Sequence, residues 1–134
     1  MRRLPPLAAL LLVLVLAACG GGPPKPYTAA ASKTCFTQQG FTGVTTNADK
    51  VGFIAAFAPN GGLQARSKTG NVLTIAFADP GSVSSTERAF RRNAPARLRP
   101  HMADIMESQG NAVLVWTVSP TQQELSAAEG CLKS

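Results

Sequence analysis

His101 is the single histidine in a chain of 134 residues, so any chemistry that needs an imidazole must use that side chain. Asp104 lies three residues further on and Glu107 six, and a helix through them sets His101 and Asp104 on neighbouring positions. A carboxylate beside an imidazole is the arrangement of a small hydrolase, or of a factor that assists one, with His101 as the acid–base group. The same residues make a poor metal site. No second histidine exists to join them or to join Cys35 and Cys131, whereas a closed zinc site takes four ligands. Nucleophilic catalysis has no signature either: there is neither a Gly-x-Ser-x-Gly elbow nor a Ser-x-x-Lys, and Ser32-Lys33 and Ser67-Lys68 are adjacent pairs of the kind found in caps and turns. Paired carboxylates would have to come from Asp49, Asp79, Asp104, Glu87, Glu107, Glu124 and Glu129. Asp79, followed by Pro80-Gly81, suits a turn. Asn60-Gly61-Gly62 lacks the Gly-Lys-Ser/Thr with which a phosphate loop grips a nucleotide, and the lone Trp116 reads as core. No cofactor or metal is expected, and these residues favour a binding or interaction module over an enzyme.

The elements that position these groups fit one domain, residues 32–134. Ser32 reads as the cap of a short helix through Cys35 and Phe36 that stops at Gly40. Phe41 to Thr45 follow as a strand. Residues 47–58 fit two periods, Val51, Ile54, Ala55 and Ala58 a helix and Val51, Phe53, Ala55 and Phe57 a strand; the helix is preferred, ended by Pro59. Leu63 to Ser67 and Val72 to Ala78 alternate around Thr69-Gly70-Asn71 as a hairpin, with Leu73, Ile75 and Phe77 on the buried face. Ser84 and Glu87 are spaced as a capping box for a helix carrying Phe90, which Pro95 terminates. A second helical piece starts near Pro100, with Met102, Ile105 and Met106 as its stripe and Gly110 as its stop. Ala112 to Val118 is apolar on both faces, as a covered central strand would be. Ser119-Pro120-Thr121-Gln122 reads as a cap, a first-turn proline and a capping-box glutamine for a last helix through Leu125, Ala128 and Cys131. The strand–helix–strand run from Val72 to Val118 predicts a crossover beside the hairpin. The expected fold class is α+β, a small mixed but mainly antiparallel sheet of three to four strands with helices packed on it.

The N-terminus has a different character. Arg2 and Arg3 precede twelve apolar residues, Leu7 to Ala18, which stop at Cys19 and a Gly-Gly-Gly-Pro-Pro run. Twelve is too few for a span of about 20 residues, but a positive start, a short apolar run and small residues at the end define a cleaved export signal. Leu16-Ala17-Ala18-Cys19 resembles the lipobox of bacterial lipoproteins. The resemblance implies that residues 1–18 are removed, that the Cys19 thiol is acylated with palmitate-type chains, and that the protein is anchored in the cell membrane on the periplasmic or extracellular side. Two or three chains exceed the marginal hold of one, at about 0.8 kcal/mol per buried methylene. With Cys19 taken by lipid, Cys35 and Cys131 remain as an even pair in an oxidising space, and a disulfide joining the ends of the domain is expected.

Residues 19–31 then read as a Gly/Pro-rich tether of too little apolar bulk to order itself. Loss of Arg2 and Arg3 lowers the formal charge of +6 by two, to +4. Much of the remainder sits in Arg88, Arg91, Arg92, Arg97 and Arg99. Such a cluster is either a solvated helix face or a contact for anionic lipid or an acidic envelope partner, at about 1 kcal/mol per basic residue near an anionic surface. No aromatic residues interleave with it as nucleic acid binding requires. The functional expectation is a lipid-anchored envelope module that binds another envelope protein or a small ligand; the alternative is the His101 hydrolase.

Overall fold

The computed structural model describes residues 25–134. Cys19 and the export segment lie outside the described residues. Helix α1 (Ala29–Gln38) begins three residues ahead of Ser32, because Thr28 is its cap: the Thr28 hydroxyl accepts from the Ala31 N–H at 3.1 Å. Ser32 is instead fully buried, where its hydroxyl accepts from the Lys133 N–H at 3.0 Å. The Tyr27 N–H donates to Asn111 Oδ1 at 2.7 Å and the Ala29 N–H to the Asn60 carbonyl at 3.0 Å. Tyr27, Thr28 and Ala29, assigned above to the tether, are therefore held to the domain, since the backbone N–H of each finds a partner within it.

Strand β1 (Thr42–Thr45) leads into two short helices, α2 (Ala48–Val51) and α3 (Phe53–Ala56), so residues 47–58 are helical but broken. The break is at Gly52, whose φ of +86° is open to glycine and strained for other residues. The hairpin β2 (Gly62–Arg66) and β3 (Val72–Phe77) forms as the alternation predicts, closed by Gly70 at φ +89°. Helix α4 (Val83–Asn93) grows out of a 3-10 turn at Pro80–Ser82 and ends two residues before Pro95. Ser84 is thus already inside the helix and caps nothing; Glu87 accepts instead from the Ser108 hydroxyl.

The helical piece after Pro100 is a 3-10 turn at Arg99–His101 and a single turn, α5 (Met102–Ile105). Met106 starts a strand, β4 (Met106–Gln109), not a third helical turn. Met102, Ile105 and Met106 are all buried as the stripe requires. What extends the chain is pairing: Gln109 lies opposite Ala112 and Met106 opposite Val115 in β5 (Ala112–Trp116). Gly110, at φ +55°, opens the two-residue turn between them, as the first position of a type II′ hairpin demands. β5 stops short of Val118, which is 60% exposed, because Asn71 takes up the Val118 backbone: Oδ1 accepts from its N–H at 3.1 Å and Nδ2 donates to its carbonyl at 3.0 Å.

The sheet has five strands in the order β1-β2-β3-β5-β4, and every neighbouring pair is antiparallel. It is neither mixed nor limited to four strands. The crossover runs from β3 through α4 to β4, which lies parallel to β3 with β5 between them; β4, unrecognised in the periodicity, takes the place expected of β5, which then returns antiparallel to both. The register aligns Leu63, Ile75 and Leu114, and beside them Ala65, Leu73 and Trp116, on one face. Phe36, Ala128 and Cys131 join that cluster. On the other face Ala76 packs with Val51 and Ala55 beneath α2 and α3. The close fit there is specific to Gly62: a Cβ on it would stand 2.6 Å from the Ala55 carbonyl oxygen. The last helix, α6 (Gln122–Gly130), is capped by Thr121, two residues later than Ser119. Thr121 and Glu124 form the reciprocal capping box, so the motif lies at Thr-x-x-Glu and not at Ser119 to Gln122.

Candidate functional site

Cys35, on α1, and Cys131, just past α6, are joined by a disulfide with their Cα atoms 5.2 Å apart. The bond spans 96 residues and is reinforced by Thr28 and Ser32 bonding the Lys133 backbone. His101 and Asp104 are both exposed, and neither reaches the cavities at Glu124 or α3. The neighbourhood that the hydrolase reading needs, an imidazole and a carboxylate in a concave site, is not formed by these two residues. Arg88, Arg91 and Arg92 are exposed along α4, Arg97 in the loop after it and Arg99 in the 3-10 turn, where its Nε donates to the Ala94 carbonyl at 3.1 Å. They make a basic ridge and not a pocket. Among the described residues no group of three His, Cys, Asp or Glu side chains is placed to hold a metal ion.

Two concave regions remain. The first lies where the β2–β3 turn meets α6, a cavity of about 380 Å³ bordered by Gly40, Phe41, Lys68, Thr121 and Glu124. Glu124 is buried at 8% exposure, and its Oε1 accepts from the Ser67 hydroxyl at 2.6 Å and from the Thr69 hydroxyl. Its Oε2 accepts from the Thr121 N–H at 2.8 Å and from Asn71 Nδ2 at 3.5 Å. Burial alone pushes this carboxyl up, but the donors from Ser67, Thr69, Thr121 and Asn71 outweigh it and bring the pKa down to about 2. A carboxylate so fully occupied holds the turn, the end of β5 and the start of α6 together. It has little capacity left to act as a base. Glu107, on β4, is the opposite case: burial, then the charge of Glu129 and a hydrogen bond shared with it, raise its pKa above the ordinary value. Glu107 Oε1 and Trp116 Nε1 are the buried side-chain polar atoms with no hydrogen-bond partner among the described residues.

The second region lies between α3, α4 and the sheet face carrying Thr74 and Val115. It is a groove of about 490 Å³ bordered by Lys50, Phe53, Ile54, Phe90 and Asn93. A smaller apolar hollow continues it past Ala94, Leu98 and Met102. At its outer wall Phe53 and Phe57 stand 77% and 76% exposed, with ring centroids 4.9 Å apart. Single exposed apolar residues are ordinary, but two phenylalanines in contact, their rings tilted by 55°, make a patch at this exposure. Alternation in residues 47–58 had marked Phe53 and Phe57 only as one face of a strand. As helical residues at i and i+4 they pair on the side opposite Ala55, the residue clamped against Gly62.

No protein-family model, curated protein or solved structure matches this chain. Among the described residues no helix is long and apolar enough to cross a membrane.

Proposed function

We propose that this protein is a lipid-anchored module of the bacterial cell envelope, acylated at Cys19 and exposed on the periplasmic or extracellular side, whose folded domain binds an envelope component or a small ligand. The observation that supports the reading most directly is the disulfide between Cys35 and Cys131. It occupies both cysteines outside the Leu16-Ala17-Ala18-Cys19 motif and belongs to a chain made for an oxidising compartment. The groove beside α3 supplies the concave, mostly apolar lining that ligand sites use, and the exposed positions of His101 and Asp104, outside the cavities, favour binding over hydrolysis.

The test is the intact mass of the protein taken from its native membrane, before and after reduction and alkylation. A diacyl or triacyl increment on a chain beginning at Cys19, with Cys35 and Cys131 alkylated only after reduction, is the expected result. An unmodified chain that begins elsewhere would remove the anchor and the location with it.

A further inference from the structure

We infer that Phe53 and Phe57 are a second, non-covalent membrane contact, which inserts into the interface of an anionic phospholipid bilayer and lays the α3–α4 face of the domain against it. The inference rests on the anchored reading and names the partner that this face meets. Its first support is rigidity. The aromatic pair is not a loose tip, because Gly52 at φ +86° sets the start of α3 and Ala55, buried with Val51 and Ala76, seats that helix on the sheet. Folding therefore holds two phenylalanines in water, packed against each other and left about three-quarters exposed. An amphipathic element of this kind lies in the interfacial plane of a bilayer with its apolar residues in the headgroup–acyl boundary.

The second support is where the anchor enters. The Ala29 N–H is bonded to the Asn60 carbonyl at 3.0 Å, and Asn60 is three residues beyond Phe57. The N-terminal segment thus joins the domain beside the loop that ends α3, at the same edge as the aromatic pair. Because the domain begins at Tyr27, only Gly20 to Pro26 separate it from Cys19. Seven residues reach about 20 Å when extended at about 3.1 Å each, so the anchored domain meets the bilayer with this edge in range.

Charge is the third support. Lys50 stands on the groove beside Phe53, and Arg88, Arg91 and Arg92 are exposed on α4, the opposite wall. Helical spacing puts Arg88 and Arg92 on the crest of α4, away from Phe90. The acids on these elements are Asp49 in α2 and Glu87 in α4, and Glu87 is engaged by Ser108. Basic residues flanking an apolar pair are the complement of an anionic headgroup layer.

The experiment uses the full acylated chain carrying Phe57→Trp, reconstituted in phosphatidylcholine vesicles with and without phosphatidylglycerol, some with bromine on the lipid acyl chains. The native Trp116 is 1% exposed and supplies a constant background that the unsubstituted protein measures. In anionic vesicles the introduced indole is expected to shift to the blue and lose most of its emission to brominated chains. Adding Phe53→Ser is expected to reverse both effects while the protein still floats with the vesicles. Flotation together with a water-like, unquenched indole would overturn the contact and leave the anchor standing; failure to float, with no acyl mass, would overturn the anchored reading itself. A blue shift that deepens with protein density and is not quenched by bromine would assign the face to a second copy of the chain, and would also overturn the inference.

Discussion

At Glu124 burial and hydrogen bonding pull in opposite directions, and the outcome can be read in stability. The carboxylate is buried, yet four donors from two parts of the chain hold its pKa near 2, below the ordinary 4.5. A depressed acid contributes its stability in full above the unfolded value and loses it as pH falls through the folded one. The domain is therefore expected to weaken between about pH 4.5 and 2, and Glu124→Gln to flatten that limb in urea titrations. Glu124→Ala leaves buried Ser67 and Asn71 without their acceptor, at a cost of about 1–3 kcal/mol; an unchanged denaturation midpoint at neutral pH would refute the assignment. Half of this site is legible in the sequence. Thr121 and Glu124 stand three apart, the spacing of a capping box, although Ser119-Pro120 gives a competing signal two residues earlier. The other half is not, since Ser67 and Asn71 are 57 and 53 residues from Glu124 and only the hairpin brings them there. His101 shows the converse, a neighbour relation that spacing alone suggests and that exposure empties of chemistry.

Elements whose pattern repeats locally emerge from the sequence; those that depend on a neighbour do not. The β2–β3 hairpin carries its alternation, and β5 its run of apolar residues on both faces, within the strands themselves, and the structure forms all three. Met102, Ile105 and Met106 satisfy a helical stripe just as well, but β5 has an open edge, and pairing residues 106–109 to it satisfies more backbone groups than another helical turn would. The Gly110-Asn111 turn was the available clue, a glycine-first pair of the kind that closes hairpins. Once β4 is missed, the crossover is carried to β5 instead of β4 and a mixed sheet follows, so one misread turn propagates into the topology. The start of α6 turns the same reasoning into a measurement. If Thr121 is the cap, Thr121→Ala costs about 1 kcal/mol, within the usual 0.5–2, while Ser119→Ala, at an exposed position outside the helix, leaves the urea midpoint where it was. Equal losses from the two substitutions would place the cap back at Ser119.

Across the whole molecule, the two ends of the described domain meet. α1 opens the domain and the residues after α6 close it, and Cys35–Cys131 joins them across 96 positions while Thr28 and Ser32 bond the Lys133 backbone. Those hydrogen bonds exist only in the folded state, whereas the disulfide also restricts the unfolded chain. In the chain-entropy account a loop near 100 residues is worth at most about 4.7 kcal/mol, and typical values run 2–4. Folding of about 100 residues yields only about 5–15 kcal/mol, so reduction removes a large share without removing the fold. Cys35→Ala with Cys131→Ala is expected to lower the thermal midpoint by at least about 10 °C, taking 4–8 °C for each kcal/mol in a domain of this size. The far-ultraviolet signature of sheet and helix should persist at room temperature. The same loss should follow when the native protein is treated with reductant, and the double substitution should then make it insensitive to reductant. A midpoint that does not move in either case would mean that the hydrogen-bonded seam at Lys133 already holds the ends together and that the disulfide adds nothing to it. The joined ends also bear on the proposed anchor: with residues 27–29 bonded to Asn111, Lys133 and Asn60, a pull entering the domain at Tyr27 would be met by the sheet and by the C-terminus, not by a helix end free to unwind.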